Sequence, residues 1–189
     1  MRRGAKGEER KRQPSSLVSR PSPLLNVQFN YFSRMKVLMV CLGNICRSPL
    51  AQGILEHKVK QKGLDWTVDS AGTGGGHVGL GPDNRSQEVA HAHGIDISAQ
   101  EARRIRYSDI SEFDVIYCMD ATNLVNVRDI CHSLEEEAKV KLIMEESDPG
   151  KKLDVPDPYY GGASGFERVF QLLDRACEAI IENHGDHRQ

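Results

Sequence analysis

Four short apolar runs punctuate this chain, and each is followed by polar turn residues and then by apolar positions at helical spacing. The first run, Lys36-Val37-Leu38-Met39-Val40, is unbroken and partly β-branched, which predicts a parallel strand buried on both faces. Trp66–Ser70, Phe113–Cys118 and Val140–Met144 read as three further strands. Ser48-Pro49 is a helix start, with Ser as N-cap and Pro at the first position; that helix runs to Lys62, buries Leu50, Ile54, Leu55 and Val59, and is closed by Gly63. A second helix is expected over Asn84–His93, ending at Gly94, and a third after Asp120 through Leu124 and Val127. The last, from Gly162 to Asn183, carries Phe166, Val169, Phe170, Leu173, Cys177 and Ile180 on one face. Strands alternating with helices imply a doubly wound α/β domain.

Charge divides the chain. The net charge is −2, but the first 34 residues hold eight Arg or Lys against two Glu, about +6, which leaves about −8 for the rest. That basic, aperiodic, Pro- and Ser-containing segment is expected to be disordered. Its Arg and Ser content fits a transit peptide, whereas Glu8-Glu9 count against one. A dispensable leader, with Met35 as the working start, is the preferred reading. An acidic domain argues against broad nucleic-acid binding. Five cysteines at irregular spacing are not a disulfide framework and suit a reducing compartment, hence the cytoplasm. No apolar run approaches the ~20 residues that span a bilayer, so no membrane association is expected.

The chemistry concentrates at the end of the first strand, in Cys41-Leu42-Gly43-Asn44-Ile45-Cys46-Arg47-Ser48. A turn between a strand and a helix start presents free N–H groups and a positive dipole end, and therefore binds anions. Arg47 adds a planar fork that matches two phosphate oxygens. Cys41 is the expected nucleophile, its thiolate favoured by the amides, the helix end, Arg47 and a hydrogen bond from Ser48. Gly43 would permit the tight turn and Asn44 the left-handed backbone. Leu42, Ile45 and Cys46 complete the loop that would cradle phosphate, and no metal is needed. Cys46 is also the candidate partner for a reversible disulfide that shields Cys41.

A departing alkoxide or phenoxide needs a proton. Asp157, in Val155-Pro156-Asp157-Pro158-Tyr159-Tyr160, follows the fourth strand and so belongs to the same sheet edge. It is the expected general acid and then base, with apolar and aromatic neighbours favouring its protonated form. Tyr159 and Tyr160 would wall the pocket and select aromatic leaving groups. Gly72–Gly81 is a glycine-rich loop but no dinucleotide fingerprint, because His77 stands where the third glycine belongs. His91 and His93 read as surface residues.

Val40–Pro49 resembles the signature of the low-molecular-weight protein tyrosine phosphatases. Val68–Thr73, Tyr117–Asp120 and Asp157–Tyr160 resemble the same family in the same order, so the likeness covers Met35 to the C-terminus. The resemblance implies a four-stranded parallel sheet of order 2-1-3-4, flavodoxin-like, flanked by helices, in a domain of residues 35–185. It implies a monomer that hydrolyses phosphotyrosine in proteins or peptides, and small aryl phosphates, through a phosphocysteine without a cofactor. Cys41, Arg47 and Asp157 would be catalytic. Ser70 would brace Asn44 as a supporting residue, and Asp120 would either cap its helix or brace the loops. Two departures stand out. Gly76 or its neighbours take the place of an aromatic wall residue, which would widen the pocket, and Gln100 takes that of a histidine contacting the loop asparagine. Two rival readings remain open here: an arsenate reductase using Cys118 and Cys131 as resolving thiols, and a non-catalytic phosphate- or phosphocysteine-binding module.

Overall fold

The computed structural model describes Met1, residues 34–160 and residues 162–185; the expectations for a disordered, dispensable or targeting leader fall on residues 2–33 and lie outside that range. The elements are β1 (Lys36–Cys41), α1 (Arg47–Lys62), β2 (Thr67–Gly72), α2 (Asn84–Ala92), α3 (Tyr107–Glu112), β3 (Val115–Cys118), α4 (Ala121–Arg128), α5 (Leu134–Ala138), β4 (Val140–Leu142), a 3-10 turn (Ile143–Glu145) and α6 (Ala163–His184). The sheet is parallel throughout, in the order β2-β1-β3-β4.

Period-two alternation in β1 builds the layers. Val37 and Met39 face one core, with the apolar sides of α1 and α6. Leu38 and Val40 face the other, with Ile110, Phe113 and Val127. A strand buried on both faces is what its unbroken apolar run required. Register then fixes the working edge. Cys41 pairs with Gly72, and Val40 with Cys118, so the loops after β1, β2 and β3 emerge side by side. Ligands of open α/β sheets bind at this carboxyl edge.

Several boundaries differ from the sequence reading. α1 starts at Arg47 with Cys46 at the N-cap position, so Ser48 is not the cap; its hydroxyl is turned toward Cys41 instead. β2 runs two residues further than expected, through Ala71 and Gly72, because those residues pair with Val40 and Cys41. β4 stops at Leu142, where the chain turns to bury Ile143 and Met144. The sequence reading did not foresee α3 and α5. Each is short and locally capped, α3 by Asp109 accepting the Arg106 N–H and α5 by Ser133 accepting the Glu136 N–H.

Beside that turn, Glu146 ties β3 to the end of α6. Its carboxylate accepts from Tyr117 Oη at 2.7 Å and Asn183 Nδ2 at 2.9 Å, and lies 3.2 Å from His184 Nε2. Burial opposes the charge, yet the hydrogen bonds from Asn183 and Tyr117, with His184 beside them, hold this carboxyl below the usual range. A depressed acid contributes stability above its unfolded value, near ~4.3, and loses it as pH falls through the folded one. Glu146→Ala should therefore lower stability by about 1–3 kcal/mol at pH 7 in urea melts. The gap to wild type should narrow on acidification below about pH 4; a gap that stays constant with pH would contradict this assignment.

Candidate active site

The loop Leu42–Cys46 is shaped from behind by one side chain. Asn44 is left-handed, with φ 55°. Its Oδ1 accepts the Arg103 N–H at 2.8 Å, and its Nδ2 donates to Ser48 Oγ and Ser70 Oγ, each at 2.9 Å. Ser70 in turn donates to Gln52 Oε1 of α1 at 2.7 Å. That direction leaves a Ser70 lone pair facing Asn44. Ser48 accepts from Asn44, and its own proton faces Cys41 Sγ, 3.1 Å away, with the Ala71 carbonyl as a more distant acceptor at 3.5 Å. The Asn44 N–H also points at that sulfur, at 3.3 Å. The Ser48 hydroxyl, the Asn44 N–H and the N-terminus of α1 thus converge on Cys41 Sγ.

Arg47 is almost fully buried and faces the same space. One of its terminal nitrogens, Nη1, donates to Asp120 at 2.6 Å and to the Val155 carbonyl at 3.0 Å; the other, Nη2, donates to Asp157 at 3.1 Å. Asp120 therefore does both things considered for it, since its other oxygen accepts the Asn123 N–H and caps α4. Asp157 is half-exposed and accepts the Tyr159 N–H at 3.0 Å, which fixes the turn that carries both tyrosines.

These groups open onto a cleft of about 400 Å³. Cys41, Leu42, Gly43, Ile45, Cys46 and Arg47 form its floor, and Asp157, Tyr159, Tyr160, Gly74, Gly76 and His77 its walls. Tyr159 and Tyr160 meet edge to face at 5.2 Å. Arg85 of α2 supports them from below, donating to the Tyr159 carbonyl at 3.0 Å and lying 5.5 Å from its ring.

The expected site residues do meet, with three corrections and one addition. Asn44 and Ser48 do not line the cleft; their side chains are consumed behind the loop, so they shape it rather than touch a ligand. Gly43, expected only to permit the tight turn, also serves space, because a Cβ there would sit 3.0 Å from His77 Cδ2. Gln100 does not reach Asn44. Its Nε2 donates to the Pro49 carbonyl at 3.3 Å, and the Arg103 N–H holds the position instead. Nor is the wall simply lost at Gly76, because the His77 ring stands beside it. Sequence reasoning missed Arg103, Gln52 and Arg85. Arg103 is clamped between Asp69 at 2.8 Å and Asp109 at 3.0 Å, which fixes its backbone N–H on Asn44. Nothing local in the sequence announces that contact.

Cys118 is fully buried and Cys131 follows α4; neither lines the cleft. Cys46 does, but burial, followed by Asp83 and Cys41, pushes its thiol up to about 12.

The family model described as low molecular weight phosphotyrosine protein phosphatase matches residues 36–188. A low molecular weight phosphotyrosine protein phosphatase of Pongo abelii is 42% identical over 153 residues, spanning 79% of this chain and 96% of the relative. The low molecular weight protein-tyrosine-phosphatase YfkJ of Bacillus subtilis is 37% identical over 157 residues, 82% of this chain and 99% of the relative. Among solved structures, the protein tyrosine phosphatase of Entamoeba histolytica with Hepes in its active site superposes with a TM-score of 0.76 at 36% identity, covering 82% and 99% of the two chains.

Two predictions follow from the loop. Asn44→Ala loses three hydrogen bonds and strains a left-handed residue, so it should cost about 2–4 kcal/mol. Asn44→Gly, free of the strain, should cost about 1 kcal/mol less in the same urea melts; equal losses would show that φ is not a constraint here. After mild peroxide, Cys41–Cys46 disulfide formation should be slow at pH 7, because Cys46 remains a thiol. Its rate should climb about tenfold per pH unit as the Cys46 thiolate fraction grows. A pH-independent rate, read by mass spectrometry, would contradict this.

Proposed function

The chain belongs to the low molecular weight phosphotyrosine protein phosphatase family and is a protein tyrosine phosphatase; we propose that it acts through a phosphocysteine on Cys41, without a metal. The observation that carries this reading is the convergence on one cleft of a doubly hydrogen-bonded Cys41 sulfur, the Arg47 guanidinium and the Asp157 carboxyl.

In the first step the Cys41 thiolate attacks phosphorus as the bond to the tyrosine oxygen breaks, and Asp157 passes its proton to that oxygen. The loop amides and Arg47 hold the three equatorial oxygens. In the second step Asp157, now a carboxylate, takes a proton from water; the oxygen of that water attacks phosphorus, and Cys41 leaves as thiolate. Ser48 and Asn44 stabilise the sulfur anion at both ends of the cycle.

Asp157 and phosphate compete for Arg47. The carboxylate holds one edge of the guanidinium fork. Phosphate entering the loop takes that edge, and the displaced carboxyl is left beside the leaving oxygen. Asp120 and the Val155 carbonyl stay on Nη1 and keep the buried cation in place.

Substrates on this reading are phosphotyrosine proteins or peptides and free aryl phosphates, with Tyr159 and Tyr160 packing against the ring. The absence of any cleft thiol beyond Cys41 and Cys46 among the described residues speaks against arsenate reduction, and Asp157 against a mere binding module. The free cysteines suit a reducing compartment such as the cytoplasm, and the acidic domain speaks against nucleic-acid binding. Among the described residues no helix is long and apolar enough to cross a membrane.

The test is p-nitrophenyl phosphate and phosphotyrosine hydrolysis with EDTA present. Wild type should turn over and Cys41→Ser should not. Asp157→Ala should lose about 10²–10³-fold on phosphotyrosine, and less on p-nitrophenyl phosphate, whose leaving group needs the proton less. Activity abolished by EDTA, or retained by Cys41→Ser, would defeat the reading.

A further inference from the structure

The glycine run 74–76 and the residues Arg104 and Arg106 take no part in the chemistry above, yet they meet at one place. Thr73 lines a second cavity, of about 780 Å³, whereas the next residue, Gly74, lines the catalytic cleft. The two spaces therefore share one backbone segment, their lining residues a single position apart, ~3.8 Å between successive Cα atoms. That ridge is bare. A Cβ at Gly76 would meet nothing within 4 Å, and one at Gly75 would meet only Arg104 Cδ, at 3.8 Å.

The second cavity is built for negative charge. Arg104 and Arg106 line it, both are exposed, and neither makes an ion pair with any described residue. Arg103, one residue away, shows the contrast, being committed to Asp69 and Asp109. Thr73 Oγ1 is buried without a hydrogen-bond partner. Asn126 and His132 add further polar groups, and Asp129 is the one carboxylate of the lining.

We propose that this cavity is a subsite for a second anionic side chain, carboxylate or phosphate, on the same protein substrate whose phosphotyrosine occupies the cleft. The proposal rests on the phosphatase reading above and adds a selectivity to it. A substrate segment lying extended across the ridge advances about 3.3 Å per residue, so an acidic or phosphorylated residue within about three positions of the phosphotyrosine reaches the arginines. Arg104, leaning against Gly75, would be met first.

The experiment measures kcat/KM at low salt on phosphotyrosine peptides that carry one Glu or one phosphoserine at each position within three of the phosphotyrosine, against an all-Gln peptide. Wild type is compared with Arg104→Ala/Arg106→Ala and with Arg104→Lys/Arg106→Lys. Wild type should favour the anionic peptide about fivefold at the matching position, phosphoserine more than Glu, and the preference should shrink as salt rises. The alanine pair should lose the preference and the lysine pair keep most of it. Hydrolysis of p-nitrophenyl phosphate, too small to cross the ridge, should be the same in all three. Uniform rates across the peptides, or a preference that survives in the alanine pair, would overturn the subsite. If wild type fails on p-nitrophenyl phosphate, the phosphatase reading itself has failed. The subsite is then judged by calorimetric binding of the same peptides to Cys41→Ser, where the same fivefold difference supports it and its absence refutes it.

Discussion

Everything at this site hangs on the side-chain amide of Asn44. A non-glycine residue in the left-handed region is strained by roughly 1–2 kcal/mol, and it persists only where the surroundings over-determine it. Here they do, through Arg103 N–H, Ser48 and Ser70. The three partners come from different elements: the segment before α3, the start of α1 and the end of β2. The same contacts that bend the loop thus report whether the sheet, its flanking segment and the first helix are in register. Cys41 receives its hydrogen bonds only when all of them are.

A second constraint is the buried Arg47 charge. A guanidinium so far from water must be compensated, and Asp120 and Asp157 do so. Asp120 is the permanent partner, reinforced by its capping role on α4. Asp157 sits on a half-exposed loop and is the exchangeable one. A site with one fixed and one exchangeable carboxylate can accept a phosphate dianion without leaving the arginine unpaired at any stage. On the proposed mechanism, that division of labour also frees the acid for the leaving group when the phosphate arrives.

The sequence made legible what is written locally. The apolar run of β1, the Cys-x5-Arg-Ser loop, the Asp-Pro-Tyr-Tyr turn and the apolar face of α6 each carry their signal within a few residues. The strand order that the family resemblance implied is the one observed, and the candidate nucleophile and acid lie on the same cleft. What stayed hidden depends on contacts between distant segments. Arg103 acts through its backbone N–H, which has no sequence signature, and its own side chain is fixed by carboxylates 34 and 6 positions away. Gln100 occupies the expected sequence position, yet its amide donates to the Pro49 carbonyl while the Arg103 N–H serves Asn44. Gly43 looked only like a turn residue and is also the space left for His77. Ser48 looked like a cap because Ser-Pro usually is one; here the thiol outcompetes the helix end for its hydroxyl. In each case local propensity was overridden by the needs of the catalytic loop, as expected where function and folding conflict.

The central claim is that phosphate passes through the Cys41 sulfur. The most direct measurement is rapid acid quench of wild type during phosphotyrosine turnover, followed by peptide mass spectrometry and phosphorus NMR of the trapped protein. The account predicts one phosphoryl group on Cys41, a phosphothioester resonance, and loss of both on allowing turnover to finish. Turnover with no phosphoryl group on any residue, or with one on a residue other than Cys41, would contradict it.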